Sequence, residues 1–212
     1  MATVNSLLEL ARRQLGVKED PPGSNKVKYN AWYYGREVSG AAYPWCMVFV
    51  QWVFDRASVK LPTRTASCGA LMRAAQAAGC WVTKGYRPGD VVIYDFPGGA
   101  ATDHCGIVEA VDDSRVSAIE GNTSAASDAD GGAVARRARR LSLIAGAVRP
   151  TFDEEVEEMR YNTVAECPDW ARETVQKLID KGYLGGDGQS LDLSRDMVRI
   201  LVIQDRAGSF DQ

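Results

Sequence analysis

The sequence predicts an α+β fold. Between residues 4 and 79 apolar residues recur at helical spacing, and from residue 88 onward they alternate at period two, with turn residues marking the change. Helices first and a run of antiparallel strands second is the signature of a helical layer packed on a sheet. Composition agrees: 212 residues at 45% hydrophobic and 25% charged suit one good-sized globular domain with an appendage. Wholesale disorder is excluded by that balance. So is a polytopic membrane protein, because the longest apolar-rich run, residues 45–54, is interrupted by Gln51 and falls well short of the ~20 residues that span a bilayer.

Asn5 or Ser6 is placed to cap a first helix with Leu7, Leu8, Ala11 and Leu15 on one stripe, ending at Gly16. The stretch EDPPGSN reads as a loop, and GSNKVKYNAWYYG continues it. Pro44 opens the next helix, YPWCMVFVQWVFDRA, which is apolar on nearly every side and so belongs in the middle of a domain. Ser67 caps a third helix, closed by Gly79. Pro88-Gly89-Asp90 then turns into the strand VVIYDF, followed by strands in DHCGIVEAV and RVSAIEG.

Charge divides the chain. Residues 1–150 carry 18 Lys+Arg against 14 Asp+Glu, a balance of +4, whereas residues 151–212 carry 7 against 14, a balance of −7. The predicted organisation is a first domain at 1–150, an acidic linker at 151–166 opening with the run at 153–158, and a helical module at 167–212. In that module Pro168 and Asp169 start a helix with Trp170, Val175, Leu178 and Ile179 apolar, and Ser194 caps another with Met197, Leu201 and Ile203 apolar. So short a unit buries little core alone, so its stripes are expected to meet a second copy or the first domain.

Two places carry chemistry. Cys46 falls in the first turn of the buried helix, where unpaired N–H groups and the dipole favour a thiolate; the alternative is a plain core cysteine. His104 is the only histidine, so any imidazole mechanism uses it. If its strand and the next form a hairpin in which residue 111 faces 115, His104 lies across from Asn122 and diagonal to Glu120, all on one face. Thiol, imidazole, carboxylate and amide together are what acyl transfer by a cysteine requires. The five cysteines are an odd number without a CxxC pair, so neither a disulfide framework nor a zinc site is expected, and most read as small buried hydrophobes.

YPWC, RPGDVVIYDF, DHCGIVEAV and IEGNTS, in that order, resemble the CHAP family of cysteine- and histidine-dependent amidohydrolases and peptidases that cut bacterial peptidoglycan. The resemblance covers roughly residues 5–150. It implies a papain-like fold, Cys46 as nucleophile, His104 as base, Glu120 orienting the imidazole, Asn122 as a fourth polar residue, and a thioester intermediate. Asn25 and the aromatics around Trp32 are candidate substrate contacts, with Trp45 beside the nucleophile and Tyr43 also a candidate oxyanion donor. Calcium-binding members carry an Asp-rich loop where this chain has SGAAYPWC, so no cofactor is expected. The run RRARR at 136–140 reads as a solvated two-sided strand, with attraction to anionic wall polymers or nucleic acid as alternatives.

The tail resembles one S-layer-homology repeat. Together these readings imply an endolysin acting on the peptidoglycan of Gram-positive walls, without nucleic acid or membrane insertion, and with self-association through the tail as a possibility. The N-terminus lacks a basic lead before an apolar run, so synthesis in the host cytoplasm and holin-mediated release are expected. The alternatives are a wall-binding protein with a spent site and a papain-like amidase acting elsewhere.

Overall fold

The computed structural model describes residues 2–98, 102–124, 131–153, 159–185 and 190–211. They form two units, Met1–Glu155 and Val156–Gln212. The acidic run at residues 154–158 and most of the tail's Gly-rich turn lie outside the described residues.

The first unit begins with α1 (Val4–Arg12). Its cap is Thr3 rather than Asn5 or Ser6: Thr3 Oγ1 accepts from the Ser6 amide at 3.2 Å, and Ser6 Oγ accepts from the Thr3 amide at 3.1 Å. Both orphan donors are thereby satisfied reciprocally, which a cap one turn later would not achieve. The stretch read as a continuing loop contains α2 (Lys28–Tyr34), ended by Gly35 in the left-handed conformation. Next come α3 (Cys46–Arg56) and α4 (Cys68–Ala77), the latter capped by Ser67. The strands are β1 (Trp81–Val82), β2 (Val91–Tyr94), β3 (His104–Val111), β4 (Arg115–Thr123), β5 (Ala133–Arg140) and β6 (Ile144–Val148). They make one antiparallel sheet in the order β1-β6-β2-β3-β4-β5.

Helix α3 is the pillar of this unit. Met47, Val48, Phe49, Val50 and Val53 are fully buried, and the helix packs on β3 and β4 on one side and on α1 and α2 on the other. It approaches β4 closely at Gly121, where a Cβ would lie 2.5 Å from that of Phe49. Alternation sends Val91, Ile93, Cys105, Ile107 and Ile119 into this helix-side core. Their neighbours Val92, Tyr94, Val108, Val116, Ala118 and Ala147 form a second apolar layer on the other face.

The hairpin departs from the simple register. Val111 pairs with Val116, not 115, but the ladder shifts between Val108 and Ala110, and beyond it Ile107 faces Ile119. The bulged residue, Glu109, sits among cations: Arg12 Nε reaches it at 2.7 Å and Arg136 Nη2 at 2.9 Å. That bulge restores toward the strand's start the pairing that places His104 near Glu120.

The second unit contains β7 (Arg160–Tyr161) paired with β8 (Leu193–Ser194), and α5 (Asp169–Asp180) followed by α6 (Arg195–Arg206). It has a core of its own, with Tyr161, Cys167, Ala171, Val175, Leu193, Val198 and Val202. The inward stripe of α6 is therefore Val198 and Val202, one turn apart, whereas Met197 and Ile203 are exposed, as is Trp170 on α5. Lys177 ties the helices together through Asp205 and Asp211, both at 2.7 Å. Among the described residues no helix is long and apolar enough to cross a membrane.

Candidate active site

Cys46 is the first residue of α3, so its sulfur lies at the end of the helix where backbone N–H groups have no helical partner. Trp45 before it is the N-cap, fully buried, stacked on Tyr29 at 5.6 Å and donating from Nε1 to Glu19 Oε1 at 2.8 Å. Trp45 is thus an anchor for the helix start and not a substrate contact, because no face of it reaches solvent. Cys46 itself is 8% exposed.

His104 is the first residue of β3 and is wholly buried. Its Nε2 lies 3.0 Å from Glu120 Oε2, which leaves Nδ1 for Cys46. The imidazole lies beside Tyr94 at 6.0 Å and Phe96 at 6.3 Å, two rings that also stack on each other at 5.6 Å. Glu120 is equally buried and is gripped by Arg139, whose Nε and Nη2 each donate to one carboxylate oxygen at 2.7 Å. The same guanidinium lies 5.0 Å from the ring centre of Tyr94 and 4.8 Å from that of Phe96. The RRARR run is therefore not a solvated strand throughout: Arg139 is a buried partner of the site, and Arg136 is committed to Glu109.

The charges reinforce one another. Hydrogen bonds from Cys105 and then Cys68 hold the Cys46 thiol well below the usual range against the opposing effect of burial, and His104 adds to the lowering. Burial alone would depress His104, yet its hydrogen bonds to Cys46 and Glu120, with their charges, push it up to about 9. Burial would likewise raise Glu120, and Arg139 followed by His104 reverse this and hold it below the ordinary carboxylate value. All three shifts act in one direction, favouring a thiolate–imidazolium pair backed by a carboxylate.

The other sequence-selected residues are placed differently. Asn122 lies at a second irregularity of the ladder, between Glu120 and Thr123, and has a left-handed backbone. Its side chain is wholly buried: Oδ1 accepts from the Gly132 amide at 3.3 Å, Nδ2 makes no hydrogen bond among the described residues, and none joins the side chain to His104. Asn25 is buried and donates to the Gly40 carbonyl at 3.2 Å, bracing a loop rather than lining a groove. Trp32 is half-buried on α2 beneath Arg64 and borders a cleft of about 220 Å³ with Gln51, Phe54 and Leu61. Tyr43 is half-buried edge-on to Tyr34 at 5.1 Å.

Sequence reasoning missed Arg139, Tyr94, Phe96, Cys68 and Cys105. A signal existed for the first. Glu120 pairs with Ala135 and Ala118 with Arg137, so alternation puts residue 139 on the Glu120 face, but only once the β4–β5 register is known.

Gly106 is required here by close approach. A Cβ at this position would meet Glu120 Cγ at 2.7 Å and Ala118 Cβ at 3.1 Å. Gly106→Ala is expected to cost about 1–3 kcal/mol of stability by overpacking. It should also shift the titration of His104, since the displaced group is the carboxylate that holds the ring; denaturant unfolding and NMR titration of the same sample check both.

A thiol at a helix start, set against an imidazole on an antiparallel sheet, defines the papain-like class of fold. Residues 38–122 match the sequence model of the family described as CHAP domain. No curated protein matches the chain. Among solved structures it is similar to Ly7917, at 20% identity and a TM-score of 0.43, over 70% of this chain and 62% of that one. Ly7917 with the hydrolyzing product of MDP aligns at 19% identity and 0.43, over 70% and 63%. The wild type endolysin LysIME-EF1 aligns at 19% and 0.41, over 76% and 70%. The chain thus spans somewhat under two thirds of the Ly7917 length.

Proposed function

We propose that this protein is a peptidoglycan hydrolase of the endolysin type that cleaves an amide bond of the bacterial wall through a cysteine thioester. The observation that carries this reading is the buried array Cys46, His104, Glu120 and Arg139, whose first three members fall within the stretch that matches the CHAP domain. In the mechanism the Cys46 thiolate attacks the amide carbonyl, and the carbonyl oxygen takes up negative charge beside the N–H groups at the start of α3. His104 gives the proton on Nδ1 to the leaving nitrogen as the C–N bond breaks. Water then adds to the thioester with His104 as base, releasing the acid and restoring the thiolate–imidazolium pair. Glu120 keeps the proton on Nε2 and stabilises the imidazolium throughout.

In this reading the chain is made in the host cytoplasm and reaches the wall after release. The second unit serves as a wall-targeting or self-association module, with exposed Trp170, Met197, Ile200 and Ile203 as its contact surface.

Digestion of purified Gram-positive walls followed by mass spectrometry tests the bond. The expected products are either free whole stem peptides, from cleavage at the N-acetylmuramoyl–L-alanine link, or peptides cut within the stem or cross-bridge. New reducing sugar ends would overturn the reading. A glycosidase needs two carboxyl groups flanking the bond, and the site described has one carboxylate already committed to Arg139 and His104.

A further inference from the structure

Three cysteines from three separate elements converge beside the imidazole. Cys46 opens α3, Cys68 opens α4 and Cys105 is the second residue of β3, and their sulfur atoms all lie within 4.8 Å of one another. All three are buried, and Cys46 and Cys68 keep a little exposure, 8% and 6%, through which a small ion can enter. Beside the cluster, His104 Nδ1 on a wholly buried side chain faces the Cys46 thiol without a hydrogen bond of proper geometry among the described residues, so the nitrogen is open to a ligand that Cys46 also holds. The chain thus presents three soft sulfur donors to a single point, with an imidazole nitrogen coupled to one of them, Cys46.

Acyl transfer does not call for this set. One thiol is enough for a nucleophile, and a buried apolar pocket is equally well filled by alanine or valine. Tetrahedral zinc bound by thiolates at about 2.3 Å puts the sulfurs about 3.8 Å apart, a spacing this cluster reaches by small side-chain movements. Cys46 and Cys68 are each the first residue of a helix, so the positive ends of two helix dipoles lie at the cluster, which compensates the net negative charge of three thiolates around a divalent ion. Glu120 on Nε2 supplies the outer carboxylate that zinc-bound imidazoles characteristically carry, and Arg139 holds it in place.

We propose that Cys46, Cys68 and Cys105, with His104 Nδ1 as fourth ligand, form a binding site for a thiophilic metal ion, Zn²⁺ in the first instance, whose occupation silences the enzyme. On binding, three S–Zn bonds and one N–Zn bond form, and the protons on the Cys68 and Cys105 thiols and on Nδ1 leave to solvent. No electron is transferred. The ion occupies the nucleophile and the base together, so no group is left to attack a carbonyl, and a chelator restores both.

The test uses the full chain, reduced and metal-free, without oxidant. Titration with Zn²⁺ followed by dialysis and metal analysis is expected to find one ion per chain, and Co²⁺ is expected to give a thiolate-to-cobalt charge-transfer band. Wall lysis should fall at least tenfold with one equivalent of Zn²⁺ and return with EDTA. Cys68→Ser and Cys105→Ser, each compared with its own metal-free rate and checked for native circular dichroism, should need about 100-fold more zinc for the same uptake. Uptake well below one ion, absence of the charge-transfer band, or unchanged zinc dependence in both folded variants overturns the proposal. Lysis that returns with a thiol reductant but not with EDTA also overturns it, pointing to a disulfide instead. Metal uptake and the cobalt band do not depend on wall hydrolysis, so failure of the hydrolase reading remains distinguishable.

Discussion

Cys46→Ala and His104→Ala are each expected to lower the rate of wall lysis by about 10³-fold or more while leaving the circular dichroism spectrum unchanged, and the double variant should be little worse than either. Nucleophile and base act as one unit, so removing the second member of a broken pair costs almost nothing further. Turbidity loss of purified walls measures it, and lysis retained in either folded single variant would dismiss the assignment. The pH profile carries the sign of the same pair. His104 is raised to about 9 in the folded chain, so activity should fall as pH rises through that value and the imidazolium loses the proton meant for the leaving nitrogen. Cys46 and Glu120 are both held low, which keeps the acid side of the profile open. Stability follows the same direction. A histidine whose folded value exceeds its unfolded value of about 6.5 stabilises the fold fully below that pH, and this contribution is lost as pH rises through about 9. In Cys46→Ala one of the two groups that raise His104 is gone, so its titration by NMR should move down.

The second large effect is expected at Arg139. Arg139→Met leaves the Glu120 carboxylate wholly buried with only His104 to meet it, and breaking a buried pair from one side costs about 3–5 kcal/mol. Denaturant unfolding should show that loss, and wall lysis should drop by about 10–100-fold because the carboxylate no longer holds the ring. Arg139→Lys should recover only part of both, since an ammonium cannot make the two parallel hydrogen bonds or spread over Tyr94 and Phe96 as the planar guanidinium does. Combining Arg139→Met with Glu120→Gln should cost less stability than the sum of the two, because the second change removes the charge that the first left unpaired. Additive losses would show that Arg139 and Glu120 are not coupled.

Much of this site was legible because it rests on local rules. A proline two residues before Cys46 and an apolar helix after it placed the thiol in the first helical turn, and period-two alternation brought His104 and Glu120 to one face. The starting assumption about the hairpin was one residue off, and the inference about Glu120 survived only because the bulge at Glu109 offsets the shift. No sequence rule located that bulge: Glu109 meets Arg12 from α1 and Arg136 from β5, and both contacts exist only after the layers assemble. The same limit applies at Asn122, where a second irregularity of the ladder and a left-handed backbone interrupt the simple alternation.

By itself, then, the sequence determined what depends on neighbours along the chain: the 3.6-residue and two-residue periods, the caps at Ser67 and Ser194, the helix-start cysteine, and the change of charge after residue 150. Tertiary structure alone decided what depends on how separate elements dock. The packing of α3 and α4 against β3 gathered Cys46, Cys68 and Cys105, and the pairing of β4 with β5 carried Arg139 to Glu120. Trp45, adjacent to the nucleophile in sequence, became the inner anchor of α3 because Tyr29 and Glu19 closed over it. Such contacts join residues with no fixed spacing, and their energy comes from burial and charge pairing that exist only in the assembled layers.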